Sequence, residues 1–287
     1  MKLLKIVLKT AQQNFRKWQT DYRIWIIGAM MIVFVVMYLD DFAKVSNYMN
    51  TPIPIWTFPF LYTAFAPKIV LTFPIILMFC NAPFTDRNQI FMFMRTGRTK
   101  WLCGQILYIF IASAMYYILL FLMTFVFTVF SGELSLDWGI TLKTITPEIV
   151  TYSGACGYLG MSVSNTVLTF FTPLGAVWFT FLMSWLAAVI LGLIVFFFNF
   201  LTETKGLGLL VSTVLLAFGS VAGQYINNGL IKYSPIAWNT LNNIDVGGLT
   251  QKPSFTYCIS IYGILIVLLI AGILLIGRKK DIDIKGE

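Results

Sequence analysis

Setting aside the proline-broken stretch 45–67, six long stretches of the chain contain no Asp, Glu, Lys or Arg: 24–39, 69–85, 101–132, 149–202, 206–231 and 253–277. This spacing constrains the fold more than any motif does. A helix needs about 20 consecutive apolar residues to cross a bilayer, and soluble domains do not exclude charge over runs that long. Only 11% of the residues are charged, and the mean hydropathy of +0.81 lies outside the soluble range. The two shortest runs are flanked by Arg23 and Lys68, whose aliphatic stems can carry their charges back to the headgroups. The expectation is an all-α membrane protein, one transmembrane domain over 1–287, with six spans near 24–40, 68–84, 101–130, 174–200, 207–225 and 254–276.

Orientation follows from Lys and Arg, which concentrate on the cytoplasmic side of membrane proteins. With both termini inside, fifteen of the twenty cations are cytoplasmic: six between Lys2 and Arg23, four in the segment 85–100, Lys205, and four from Arg278 to Lys285. The net charge of +8 is thereby a topology signal, and no nucleic-acid partner is needed to explain it. Residues 1–22 are expected to form an interfacial amphipathic helix. Leu4, Leu8, Ala11, Phe15 and Trp18 recur at steps of three and four, opposite Lys5, Lys9, Gln12 and Arg16. That stretch lacks the compact apolar core of a cleavable signal peptide.

Beyond the first span, Pro52, Pro54, Pro59 and Pro67 forbid a regular helix and predict a broken approach, hugging the membrane, to a second span kinked at Pro74. The run 149–202 is read as a single span at 174–200, because residues 151–169 are rich in Gly, Ser, Thr and Asn and because two spans would put Arg278–Lys280 outside. Segments 131–173 and 226–253 are then outer, the span at 174–200 being preceded by short outer or re-entrant helices; Thr146-Pro147-Glu148 and Ser234-Pro235 look like helix starts. In the fifth span Gly208, Ser212, Gly219 and Gly223 share one face, which suits either a dimer contact or packing within the chain. The cysteines Cys80, Cys103, Cys156 and Cys258 show no metal-binding spacing, and there is no histidine. A Cys156–Cys258 disulfide on the outer side is conceivable, although separate thiols are the simpler reading.

One charged island lies between long apolar segments: DRNQIFMFMRTGRTKW, residues 86–101, with four cations against one acid. Thr85 suits the N-cap of a short amphipathic helix over 86–95, Gly97 its stop, and Thr99 the cap of the third span. Ile90, Phe91, Phe93 and Met94 give this island more apolar surface than a solvated loop needs, which favours a docking surface over simple adherence to headgroups. No ionisable group is expected mid-span, so ion coupling has no obvious carrier. No nucleophile–base pair can be assembled either, and no phosphate-cradling GxxxxGK[ST] loop occurs. Any uphill transport would draw its energy from another subunit.

With its basic leader helix, its short loop between spans two and three, and a Ser-Pro-x-x-Trp segment at 234–238, the chain resembles a bacterial ABC type-2 transporter permease. The run RTGRTKWLCGQILY at 95–108 is similar to the Arg-x-Gly-Arg-x-x-Trp-x-x-Gly sequence that leads such permeases into their third span. The resemblance implies a multi-pass subunit of the bacterial cytoplasmic membrane, working with two ATPase subunits and a second permease, identical or related. ATP and Mg would belong to the ATPase, with no cofactor on this chain. It makes the 85–100 loop a coupling helix, with Asp86, Arg87, Asn88, Phe91, Arg95 and Arg98 contacting the ATPase. It also suits pairing of permeases through the first and fifth spans, using Gly208, Ser212, Gly219 and Gly223. The segment 131–173 is longer than in simpler family members. Export of an amphipathic or hydrophobic molecule, such as an antimicrobial peptide, a lipid-like molecule or a drug, is the expected function. The alternatives are an ATP-independent channel or facilitator, which would need a polar pore lining, and a membrane sensor or scaffold.

Overall fold

Apolar runs bounded by capping residues and breakers become helices, and the breakers decide where each one stops. The computed structural model describes residues 2–84, 96–130, 132, 135–155, 163–204, 206–221, 228–246, 248 and 250–279. Among these there is no β-strand, and the helices in chain order are α1 (Lys2–Arg16), α2 (Tyr22–Met49), α3 (Phe65–Phe79), α4 (Arg98–Val129), α5 (Gly139–Thr144), α6 (Pro147–Tyr152), α7 (Asn165–Phe170), α8 (Pro173–Thr202), α9 (Leu207–Val221), α10 (Asn228–Ile231) and α11 (Phe255–Lys279). Four of them, α2, α4, α8 and α11, are long and apolar enough to cross a membrane. The apolar helices α3 and α9 have 15 residues each, short of the roughly 20 a straight crossing requires.

Helix α2 outruns the expected 24–40. Asp21 caps its start by accepting from Arg23 N at 3.1 Å, and nothing breaks it until Asn50, which turns left-handed at φ 53°. Asp40, Asp41 and Lys44 therefore stand on the helix, with Lys44 Nζ 2.7 Å from Asp40 and 3.8 Å from Asp41. Helix α8 begins at Thr172, whose hydroxyl accepts from Gly175 N, with Pro173 at the first position, where a missing N–H costs nothing. It is the axis of the bundle: 61% of its most apolar stretch is buried, against 11% for α11 at the periphery. Helices α3, α4, α9 and α11 all pack on α8, α2 lies against α3 and α4, and α1 lies along α4.

The proline-rich segment before α3 behaves differently from the expected membrane-hugging approach. Trp56, Phe58, Phe60, Leu61 and Tyr62 are all buried, so the broken chain dives into the bundle. Irregular backbone is tolerated at such depth where protein encloses it. Helix α3 then runs through Pro74. After α9, Pro235–Asn239 is a similarly buried 3₁₀ turn. Short α5, α6 and α7 occupy the connection from α4 to α8, and Thr146 caps α6 ahead of Pro147.

Candidate coupling site

The charged island is reached through its anchors. Asp86, Arg87, Asn88, Phe91 and Arg95 lie outside the described residues, as do Thr85 and the short helix expected over 86–95. Arg98, half-buried, opens α4. The helix start is set by Gly97 at φ 80°, a conformation glycine adopts freely. Thr99, the expected cap, is therefore already inside the first turn, two residues later than the true boundary.

Both edges of the island are held by the N-terminal segment. On the leading edge, the Phe84 carbonyl accepts from Lys17 Nζ at 3.1 Å. The Phe84 ring meets Tyr108 of α4 edge-on at 4.9 Å. On the trailing edge, α1 lies directly on the first turns of α4. Thr10 of α1 occupies the space above Gly104, where a Cβ would stand 2.5 Å from that of Thr10. Asn14 donates to Gln105 Oε1, with both amides buried. Phe15 packs on Tyr108 at 4.9 Å, and Trp18 Nε1 donates to the Tyr108 hydroxyl at 2.8 Å. Tyr108 thus joins α1, Phe84 and α4 at one point.

This arrangement changes the reading of α1. Ala11 of the expected apolar stripe is buried against α4, but Leu4 and Leu8 are exposed, and the helix is pinned to protein by Thr10, Ala11 and Asn14. One face docks on α4 and another leaves its leucines exposed.

A second knot lies at the same end. Asn199 of α8 donates to the carbonyls of Cys80 at 2.9 Å and Ala82 at 3.0 Å, and its Oδ1 accepts from Gly208 N at 2.9 Å. One amide ties the end of α3, the end of α8 and the start of α9. Gly208 has to lack a side chain, since its Cβ would meet the Val195 carbonyl at 2.4 Å. Arg23 joins the knot through Nη1, 3.1 Å from Cys80 Sγ.

The small-residue face of α9 is occupied within the chain. Ser212 donates to the Leu191 carbonyl at 3.4 Å, and a Cβ on Gly219 would stand 2.8 Å from that of Ile236; Gly223 lies outside the described residues. The exposed face of α9 is the opposite one, with Leu210, Val214 and Phe218. Of the cysteines considered for a disulfide, Cys258 is a buried free thiol and Cys156 lies outside the described residues.

Beside Trp18, an apolar groove of about 490 Å³ opens between α2 and α4, lined also by Ile27, Met31, Met78, Tyr116 and Met123 among others. Sequence reasoning missed Asn199, Gln105 and Tyr108, since a lone polar residue in an apolar run carries no local sign of its partners. No protein-family model, no curated protein and no solved structure matches the chain.

Proposed function

We propose that this chain is the permease subunit of an ATP-driven ABC exporter of the bacterial cytoplasmic membrane. In this reading six segments cross the bilayer, α3 and α9 being completed by the buried irregular chain beside them. The termini and the 85–100 loop face the cytoplasm, where the loop docks on one of two ATPase subunits. A second permease, identical or related, completes the pore, meeting this one through the exposed face of α9 rather than through its small residues. ATP and Mg are bound by the ATPase, and this chain performs no chemistry of its own.

The observation that carries the reading is the collar around the island. Lys17, Phe84, Tyr108, Thr10 and Gly104 fasten both edges of residues 85–97 to α1 and α4. A force applied to the island therefore acts on a stiff junction, as transmission of an ATPase movement to the spans requires. The groove between α2 and α4 is of a size and polarity suited to an apolar portion of a lipid-like or amphipathic cargo.

The test is coexpression with a candidate ABC ATPase. Arg87→Glu combined with Phe91→Ala should abolish co-purification of the ATPase, or leave hydrolysis uncoupled from transport. Unchanged assembly and transport in the double variant, or labelling that places 85–100 on the outer face, rejects the proposal.

A further inference from the structure

The two irregular segments that complete α3 and α9 meet each other, and a buried lysine sits at the junction. Thr240 Oγ1 donates to the Tyr62 carbonyl at 2.8 Å, joining the chain before α3 to the chain after α9. Lys68, in the first turn of α3, is only 3% exposed. Its ammonium reaches the Ala237 carbonyl at 3.4 Å, an acceptor it shares with Asn243 Nδ2 at 2.9 Å. Among the described residues no carboxylate lies within 4.0 Å of it. The stem does not carry the charge out to headgroups, as its place at the edge of an apolar run had suggested. A buried ammonium with one long, shared hydrogen bond is costly, and an ionisable group at membrane depth marks a functional site.

The surroundings supply more donors than acceptors. Asn239 Nδ2, at the end of the turn that carries Ala237, is buried without a partner. So is Thr72 Oγ1, one helical turn beyond Lys68 on the same side of α3. The rings of Tyr62 and Tyr117 stand 6.2 Å apart, and both hydroxyls are buried. Buried polar groups are ordinarily satisfied; here, among the described residues, the ammonium has one long, shared acceptor, and the Asn239 amide N–H and the Thr72 hydroxyl have none. The adjoining side chains in the chain are apolar and buried: Phe58, Phe60, Leu61 and Trp238 are each at most 1% exposed.

We propose that Lys68, with Thr72 on the same side of α3 and Asn239 on the turn that carries Ala237, forms a binding site for an anionic oxygen group, a carboxylate or phosphate, carried on an amphipathic molecule. The charge supplies the counterion the ammonium lacks, and the adjoining apolar side chains accept the molecule's hydrophobic part. Irregular backbone from two short helices lines the site, the setting in which non-helical chain survives inside a membrane. The proposal concerns binding alone and stands apart from whether an ATPase drives the chain.

The experiment uses the full chain in phosphatidylcholine vesicles, reading tryptophan quenching by brominated-acyl phosphatidate against brominated-acyl phosphatidylcholine; Trp238, next to Ala237, is the reporter nearest the site. Wild type should prefer the phosphatidate about tenfold, the worth of one charge-assisted hydrogen bond. Lys68→Met and Asn239→Leu should each reduce that preference, the first more, while Lys68→Arg keeps it. Inorganic phosphate added at millimolar concentration separates the sources: suppression identifies a free anion as the ligand, and no effect identifies the lipid-borne one. Equal quenching by the two lipids in wild type overturns the proposal, and so does a preference that both Lys68→Met and Asn239→Leu leave intact. The wild-type comparison decides even where a variant fails to fold.

Discussion

Around Asn199, one side-chain amide serves three backbone groups, those of Cys80, Ala82 and Gly208. At the other end of the bundle the side-chain donors are spread over separate carbonyls: Trp56 Nε1 serves Ser135, Trp138 Nε1 Phe171 and Trp238 Nε1 Ile231, while Thr141 and Ser46 share Pro52 and Lys68 and Asn243 share Ala237. The contrast follows from how the chain ends its helices. At the basic end α3 and α8 stop close to where α9 starts, so their leftover carbonyls and N–H groups converge on one place. At the opposite end long irregular segments run between helices, and their carbonyls are scattered along the chain. Concentration makes the basic end stiff and sensitive to single changes, which suits a place where force enters. Dispersal spreads the loss from any one change over many independent contacts.

The comparison can be broken most directly at Asn199. Asn199→Leu keeps the volume but strands three backbone groups, two of them in buried hydrogen bonds, and should cost roughly 4 kcal/mol in denaturant unfolding in detergent, at about 1–3 kcal/mol for each unsatisfied group. A smaller loss, of about 2 kcal/mol from overpacking, is expected for Gly104→Val, whose side chain would collide with Thr10. Its specific sign is loss of hydrogen-exchange protection over 2–16 while α8 stays protected; uniform loosening would mean the collar is not a separate unit. At the opposite end, Trp138→Phe removes one donor from the Phe171 carbonyl and should cost about 1 kcal/mol. Should Trp138→Phe prove as damaging as Asn199→Leu, the two ends do not differ in the way argued.

These sensitivities also show what the sequence discloses. Long apolar runs disclose the four long helices, because exclusion of charge is the direct condition for a helix in lipid. The prolines between 52 and 67 disclose a break but not its direction; the inward turn depends on Tyr62 meeting Thr240, far away in the chain. Lys68 looks like an edge residue because its acceptor, Ala237, is equally remote. The glycines and serine of α9 announce close packing, and their spacing does not say whether the neighbour is the same chain or another; Val195 and Ile236 supply that answer. In the collar, Gly97 is legible as a break, whereas the pairing of Asn14 with Gln105 is a matter of three dimensions alone.

The smallest expected effect tests dispersal at its weakest contact. Asp137 and Lys143 form an exposed pair at 2.6 Å beside Trp138, and Asp137 also accepts from Trp138 N at 2.8 Å. The Lys143 ammonium, and after it that backbone N–H, hold the Asp137 carboxyl below its ordinary value of 3.8. A carboxyl depressed by folding stabilises the folded state at pH above its unfolded value, and that contribution is lost as pH falls through the folded one. Acidification from neutral to below the ordinary carboxylate range should therefore loosen the turn at Trp138 slightly, seen as a small rise in hydrogen exchange over 137–144. Asp137→Asn should remove this step while leaving α8 untouched, and added salt should weaken it, since water screens the pair. Were the acid step to spread to α8 or to the Asn199 knot, the contacts at this end would be coupled, and dispersal would be the wrong account of it.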